Sequence, residues 1–229
     1  GRVGELYHIP KAQSTADVKP RRYFAYLPDE ILGKDSLSGK IVADKLSEVP
    51  QKFFDAFNIK YFLSEQPLPP VPWRQLIYDN DIKIYENKSM LPKAYVVFRK
   101  KTVASPEEAR SVFYSASFNP HIEAIIEDAN KIVLSSTTTA PIIPAVVTSY
   151  QSNRIVLQST TDRDGLLVLS EAFYPGWQTY LDGKKVITYP ANVMFRGVFL
   201  PAGTHTVTFA YEPRWFWPSV SVSLLTICG

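Results

Sequence analysis

The chain has 229 residues, 45% of them hydrophobic and 13% aromatic, which gives enough apolar mass for one large domain or two small ones and excludes a disordered chain. Its 25 basic and 22 acidic side chains leave a net charge of +3, without the block of like charge that a nucleic-acid arm needs. One cysteine excludes an internal disulfide framework, and 18 prolines with 10 glycines favour a loop-rich β protein over a helical bundle.

Residues 1–42 carry few periodic signals and read as an irregular arm, with a short strand at Tyr23–Leu27. Residues 44–58 place Leu46, Val49, Phe53 and Phe57 at near-helical spacing, and Pro50 marks the start of the continuous helix. A strand over Ile59–Ser64 follows, then a proline-rich extended excursion at 66–74 and two strands, Gln75–Asp79 and Asp81–Glu86. Asn87-Lys88-Ser89 fits the N-glycosylation acceptor pattern and reads as a surface loop. Ala94–Val103 reads as one strand. Ser105-Pro106-Glu107-Glu108 then opens a helix with a capping serine and puts Ala109, Val112, Phe113 and Ala116 on one face.

Beyond residue 120 the pattern turns to β. Strands are expected at Ile122–Glu127, Lys131–Ser135, Ala145–Tyr150 and Arg154–Thr160, with a loop at 137–144. Leu166–Ser170 is nearly all apolar, as in a strand covered on both faces. After Tyr174-Pro175-Gly176, the strand Trp177–Leu181 meets Asp182-Gly183, a pair suited to a type I′ hairpin, with Lys184–Tyr189 as the return strand. Phe195–Leu200 and Thr204–Tyr211 flank a second hairpin at Pro201-Ala202-Gly203. Thr204, Thr206 and Thr208 share one face of the last strand, and the larger groups share the other. These signals predict an α+β to mainly β fold. A small α+β layer over 1–118 precedes an antiparallel β-sandwich of jelly-roll or carbohydrate-binding-module type over 119–213. The final run, Ser219–Gly229, carries no charge and follows Trp215-Phe216-Trp217-Pro218. It is 11 residues long, short of the roughly 20 that span a bilayer, and reads as a buried terminal strand or the start of a membrane helix.

Candidate chemistry is sparse. Asp162 and Asp164 in TTDRDG suit a solvated turn better than a cation site, because the further ligands of a calcium loop are missing. Glu171, Asp182 and Glu212 fall near strand ends, where sequence alone cannot set two carboxyls across a cleft. His8, His121 and His205 are too scattered for a metal centre, and Cys228 has no base nearby in sequence. No nucleophile elbow or phosphate loop occurs, so no catalytic residue, metal or cofactor is expected. The aromatic set Tyr174, Trp177, Tyr180 and Tyr189 is the most suggestive feature. A ring beside polar groups can stack on the apolar face of a sugar, or it can simply seal the sandwich end. Strand alternation puts Tyr180 on the face opposite Trp177. Tyr174, Trp177, Tyr180 and Asp182 are the residues expected at any glycan contact.

The strings EAFYPGWQTYLDG and NVMFRGVFLPAGTHTVTFAYEP resemble the C-terminal extracytoplasmic part of the YfhO family of bacterial polytopic membrane proteins, which look like GT-C-type glycosyltransferases. The resemblance extends through FDAFNIKYFLS, IKIYENKSMLPKAYVV and SYQSNRIVLQSTTDRDGLLVLSE and covers most of residues 45–218. It implies a non-catalytic domain on the extracytoplasmic face of the cell membrane, with residues 214–229 beginning a truncated transmembrane helix. The whole protein would move a sugar from a polyprenyl-phosphate carrier onto an envelope polymer such as a teichoic acid. Implied partners are that glycan polymer and the protein's own membrane domain, and not nucleic acid. A purely structural module and a stand-alone glycan hydrolase are the alternatives. The first predicts an exposed apolar patch, and the second predicts two facing carboxyls in a pocket.

Overall fold

The computed structural model describes residues 49–127, 134 and 140–213. The expected arm at 1–42 and the apolar run at 214–229 lie outside them, as does the strand Lys131–Ser135 apart from Leu134. Helix α1 (Gln51–Ala56) starts directly after Pro50, whose φ of −66° and ψ of 143° make it the N-terminal cap residue. Strands β1 (Tyr61–Ser64), β2 (Arg74–Asp79) and β3 (Lys83–Asn87) form a three-stranded antiparallel sheet in the order β1-β3-β2.

The next stretch is two strands rather than one, β4 (Ala94–Val97) and β5 (Lys100–Val103), because the chain changes partners at Phe98-Arg99. β4 pairs with β10 (Gly165–Ala172) and β7 (Ile143–Pro144), whereas β5 runs parallel to β6 (Ala124–Glu127). A parallel pair needs a crossover, supplied here by helix α2 (Pro106–Tyr114). Ser105 Oγ accepts from Glu108 N at 3.1 Å, and Glu108 Oε2 accepts from Ala104 N at 2.8 Å, so the helix opens on the capping pair legible in the sequence.

The remaining strands are β7 (Ile143–Pro144), β8 (Val146–Tyr150), β9 (Arg154–Thr161), β10 (Gly165–Ala172), β11 (Trp177–Leu181), β12 (Lys184–Val186), β13 (Tyr189–Ala191), β14 (Phe195–Leu200) and β15 (Gly203–Tyr211). They complete a seven-stranded sheet, β5-β6-β13-β14-β10-β4-β7, and a five-stranded sheet, β12-β11-β15-β9-β8. The larger sheet draws strands from both sides of residue 118. The expected return strand Lys184–Tyr189 is split, because the chain leaves the five-stranded sheet after Val186 and joins the seven-stranded one at Tyr189. The Asp182-Gly183 hairpin is as read: Leu181 faces Lys184, with φ of 49° and 80° at the two turn residues.

β10 explains how the layers stack. Leu166 and Val168 enter one core together with Phe54, Tyr95, Phe113 and Ile126, between the seven-stranded sheet, the helices and the small sheet. Leu167 and Leu169 enter a second core with Val96, Leu157, Val198 and Phe209, between the two large sheets. The unbroken apolar run of β10 is thus a strand buried on both faces, at the centre of a three-layer arrangement.

Candidate functional site

One end of the sandwich gathers rings and charges. β11 begins at Trp177, paired with Tyr211 of β15, and their ring centroids lie 5.5 Å apart. Gly176 precedes it with φ of +102°, and a Cβ there would stand 2.7 Å from the Tyr211 ring. Glycine is therefore required twice over, for its backbone angle and for the approach of the ring. Glu212 N donates to Gly176 O at 2.6 Å and Tyr211 N donates to Asn153 O at 2.8 Å, which ties three strand ends together. Tyr150, Tyr174 and Tyr211 are exposed here by 57%, 41% and 38%.

Beneath the rings lies Arg196 of β14, only 3% exposed. Its guanidinium sits 3.7 Å from the centre of the Trp177 ring and 5.7 Å from that of Phe209. Nε donates to Ala172 O at 3.0 Å, while Nη1 is buried without a hydrogen-bond partner among the described residues. Burial pushes the guanidinium pKa down to about 10, against the opposing pull of Glu171 and Tyr150. Glu171 accepts from Tyr150 Oη and pairs with Lys93 Nζ, each at 2.5 Å. Burial first, and then the Glu171 carboxylate, pushes the Tyr150 phenol pKa well up, so that it stays a donor. The end therefore offers ring faces, a buried cation behind them, and a lysine–glutamate–tyrosine cluster at the margin. Such a mix can stack on a sugar ring and orient its hydroxyls.

The four sequence-expected contacts do not form one platform. Tyr174 and Trp177 share this end, with Trp177 half-buried against the second core. Tyr180 points to the outer face and donates to Glu212 Oε2 at 2.8 Å, where the carboxylate raises its pKa. Asp182 lies at the far end of β11, about 17 Å from its start for a five-residue strand. There it accepts from Thr206 N at 2.8 Å and faces His205 Nδ1 at 2.6 Å, bracing the two hairpins. Tyr189 helps to line an apolar groove of about 310 Å³ on the flank, together with Leu181, Val186, Ile187, Val198 and Phe199. Arg196, Glu171, Tyr150 and Lys93 were not anticipated as one cluster. The signal was present in Phe195-Arg196-Gly197-Val198-Phe199-Leu200, an arginine inside an otherwise apolar strand.

Other polar clusters are structural. Asp55 of α1, 1% exposed, accepts from Ser89 Oγ at 2.7 Å and Asn87 Nδ2 at 3.0 Å, with His121 Nε2 at 3.1 Å. The aspartate stands between the serine and the histidine, which is the wrong order for activating a nucleophile. Asn87 is only 3% exposed, so the N-glycosylation pattern falls on a buried strand end and not on a surface loop. Asp162 binds its neighbour Arg163 at 2.8–2.9 Å, and Asp164 accepts from Ala202 N at 2.9 Å, as turn residues do. Among the described residues no three His, Cys, Asp or Glu side chains converge as metal ligands, and no helix is long and apolar enough to cross a membrane.

Comparison with known proteins yields two likenesses. Residues 135–223 match the model of a family described as bacterial membrane protein YfhO. One solved structure, the single-particle cryo-EM structure of arabinofuranosyltransferase AftD from Mycobacteria, is similar at 17% identity and a TM-score of 0.29. The match covers 34% of this chain and spans 6% of that one. No curated protein matches.

Proposed function

We propose that this chain, whose residues 135–223 match the model of the family described as bacterial membrane protein YfhO, is a non-catalytic glycan-holding part of a membrane glycosyltransferase-like protein. The observation that carries this reading is the sandwich end itself. Tyr174 and Tyr211 stand exposed beside Trp177, Tyr150 stands exposed three strands along the same end, and a buried arginine backs the indole. A sugar stacked there would find hydrogen-bonding groups at Lys93 and Glu171. In this reading the domain lies on the extracytoplasmic side and presents the acceptor polymer to a catalytic centre elsewhere in the protein.

The test is calorimetric titration of the full chain with cell-envelope polysaccharide fragments. Tyr211→Ala and Tyr174→Ala should each weaken binding about three- to tenfold, the share of a stacked ring. Tyr180→Ala, on the outer face, should leave it unchanged. Binding that survives both rim substitutions, or no binding by the unaltered chain, would defeat the reading.

A second reading is favoured by a separate observation. Six of the eleven exposed large hydrophobic residues among those described fall between Tyr61 and Ile82, all but Leu76 on or beside one face of the three-stranded sheet, the kind of apolar patch expected of a structural module docked to its own membrane domain.

A further inference from the structure

The three-stranded sheet has one filled face and one open face. Phe62 and Tyr85 stand in register on the filled side, where Phe54 meets Phe62 edge-on at 5.0 Å and stacks on Trp73 at 5.6 Å; Leu76, next in that row on the edge strand, stays 42% exposed. The opposite row pairs Leu63 with Ile84 and Ile84 with Tyr78, beside Tyr61. Leu63, Tyr78 and Tyr61 are exposed by 44%, 50% and 37%, and Ile77 and Ile82 add 48% and 41% at the edge and turn. Nothing among the described residues covers this face, and it lies outside residues 135–223, so the family match does not assign it a role.

We infer that this face lies on the headgroup layer of a lipid bilayer. The charges around it argue for that occupant. Lys60 and Lys88 both pair with Glu86, and Lys83 pairs with Asp79 at 3.1 Å. Glu86 stands opposite Tyr61 in the same row, held by both lysines, so the face and its rim present adjacent opposite charges with little net field, which complements a zwitterionic headgroup layer and not a strongly charged surface. Tyrosines with aliphatic neighbours suit the same depth, with rings among the acyl carbons and phenols in the headgroups. Among the described residues β1 and β2 are the outer strands of this sheet, whose edge backbone groups would be costly in hydrocarbon but are satisfied at a wet interface. The sheet thus rests on the membrane without entering it.

The test is sedimentation of the full chain with sucrose-loaded phosphatidylcholine vesicles, with and without added phosphatidylglycerol. Leu63→Glu with Tyr78→Glu should lower the partition coefficient at least about tenfold, because it removes apolar contact and adds two anions. Val146→Glu, at another exposed apolar site on β8, should change nothing. Binding should not depend on phosphatidylglycerol or on salt. Leu63→Gln with Tyr78→Gln repeats the test without charge, and circular dichroism checks that each variant is folded. Three results would each overturn the proposal. One is undiminished partition of the double variants, and another is partition that requires phosphatidylglycerol. The third is lipid-free self-association, or association with the protein's own membrane part, that the double variants abolish.

Discussion

Arg196 offers the sharpest test of whether the sandwich end is a built site or a packing solution. Replacement by methionine keeps most of the side-chain volume between the sheets and removes the charge. The fall from the ordinary 12.5 to about 10 corresponds, at about 1.4 kcal/mol per pH unit, to an opposing term of about 3 kcal/mol for keeping the guanidinium charged in place. Stacking against Trp177 at 3.7 Å returns about 2 kcal/mol, and the charged hydrogen bond to Ala172 O returns about 1.5–3 kcal/mol. The returns exceed the opposing cost by about 0.5–2 kcal/mol, and the apolar methionine recovers part of that, so Arg196→Met should cost no more than about 2 kcal/mol of unfolding free energy. Urea denaturation followed by tryptophan fluorescence measures this, and calorimetry on the same variant measures glycan binding, which should drop. A loss of about 3–5 kcal/mol would refute the reasoning. It would mean that the guanidinium holds the end together and that its Nη1 is incidental. A stable variant that binds as well as the parent would equally remove Arg196 from the site.

Other consequences are as direct. Asp55→Ala removes a buried acceptor shared by Asn87 Nδ2, Ser89 Oγ and His121 Nε2 and should cost about 3–5 kcal/mol in urea denaturation, with a loss below about 1 kcal/mol contradicting the network. Gly176→Ala must either push the Tyr211 ring aside or strain a φ of +102°, so it should cost about 1–3 kcal/mol and weaken glycan binding. Gly183→Ala, at φ of +80° with no atom within 4 Å of the added carbon, should cost only about 1 kcal/mol and leave binding alone; equal effects at the two sites would be wrong. The Asp182 side chain raises the His205 pKa, and His205, followed by the Thr206 amide, lowers that of Asp182. The histidine's stabilisation is thus complete below its unfolded pKa of about 6.5 and is lost as pH rises through its raised folded value. The aspartate's is complete above about 3.9 and is lost as pH falls through its depressed folded value. Thermal melts should show His205→Gln losing more stability at pH 5.5 than at pH 9, and a pH-independent loss would contradict the pairing.

The parts of the fold legible in advance are those fixed by neighbours in sequence. Asp182-Gly183 needs only two positive φ angles, Ser105 and Glu108 need only one helical turn, and the double burial of β10 shows directly as an apolar run. The parts not legible are changes of partner. Nothing local distinguishes Phe98-Arg99 or Ile187-Thr188 from the middle of a strand, since what breaks each strand is a different sheet claiming its next residues. The site follows the same division. Tyr174 and Trp177 stand together because only Pro175 and Gly176 separate them, whereas Asp182 is separated from them by the length of β11. Tyr150, Glu171 and Arg196 belong to β8, β10 and β14, and only the stacking of the two sheets brings them into one cluster.

That stacking also explains why the polar cluster sits where it does. β10 and β14 run in register from Gly165–Leu200 to Leu169–Arg196, after which the pairing skips to Ala172–Phe195. In an unbroken ladder, the carbonyls of β10 would be spent on strand partners, and a side chain entering the second core would have to be apolar. The register shift releases the Ala172 carbonyl, and Arg196 Nε takes it. It also carries Glu171 to the margin, where Lys93 and Tyr150 can reach it. An irregularity of this kind lets a sheet admit a charge into a sandwich without orphaning the backbone, and such interruptions are retained where a side chain must be re-aimed. On this account Arg196 and the shift in β10 are one feature. A substitution that restored regular pairing at Glu171 would remove the acceptor for Nε, and would turn a tolerated buried cation into a destabilising one.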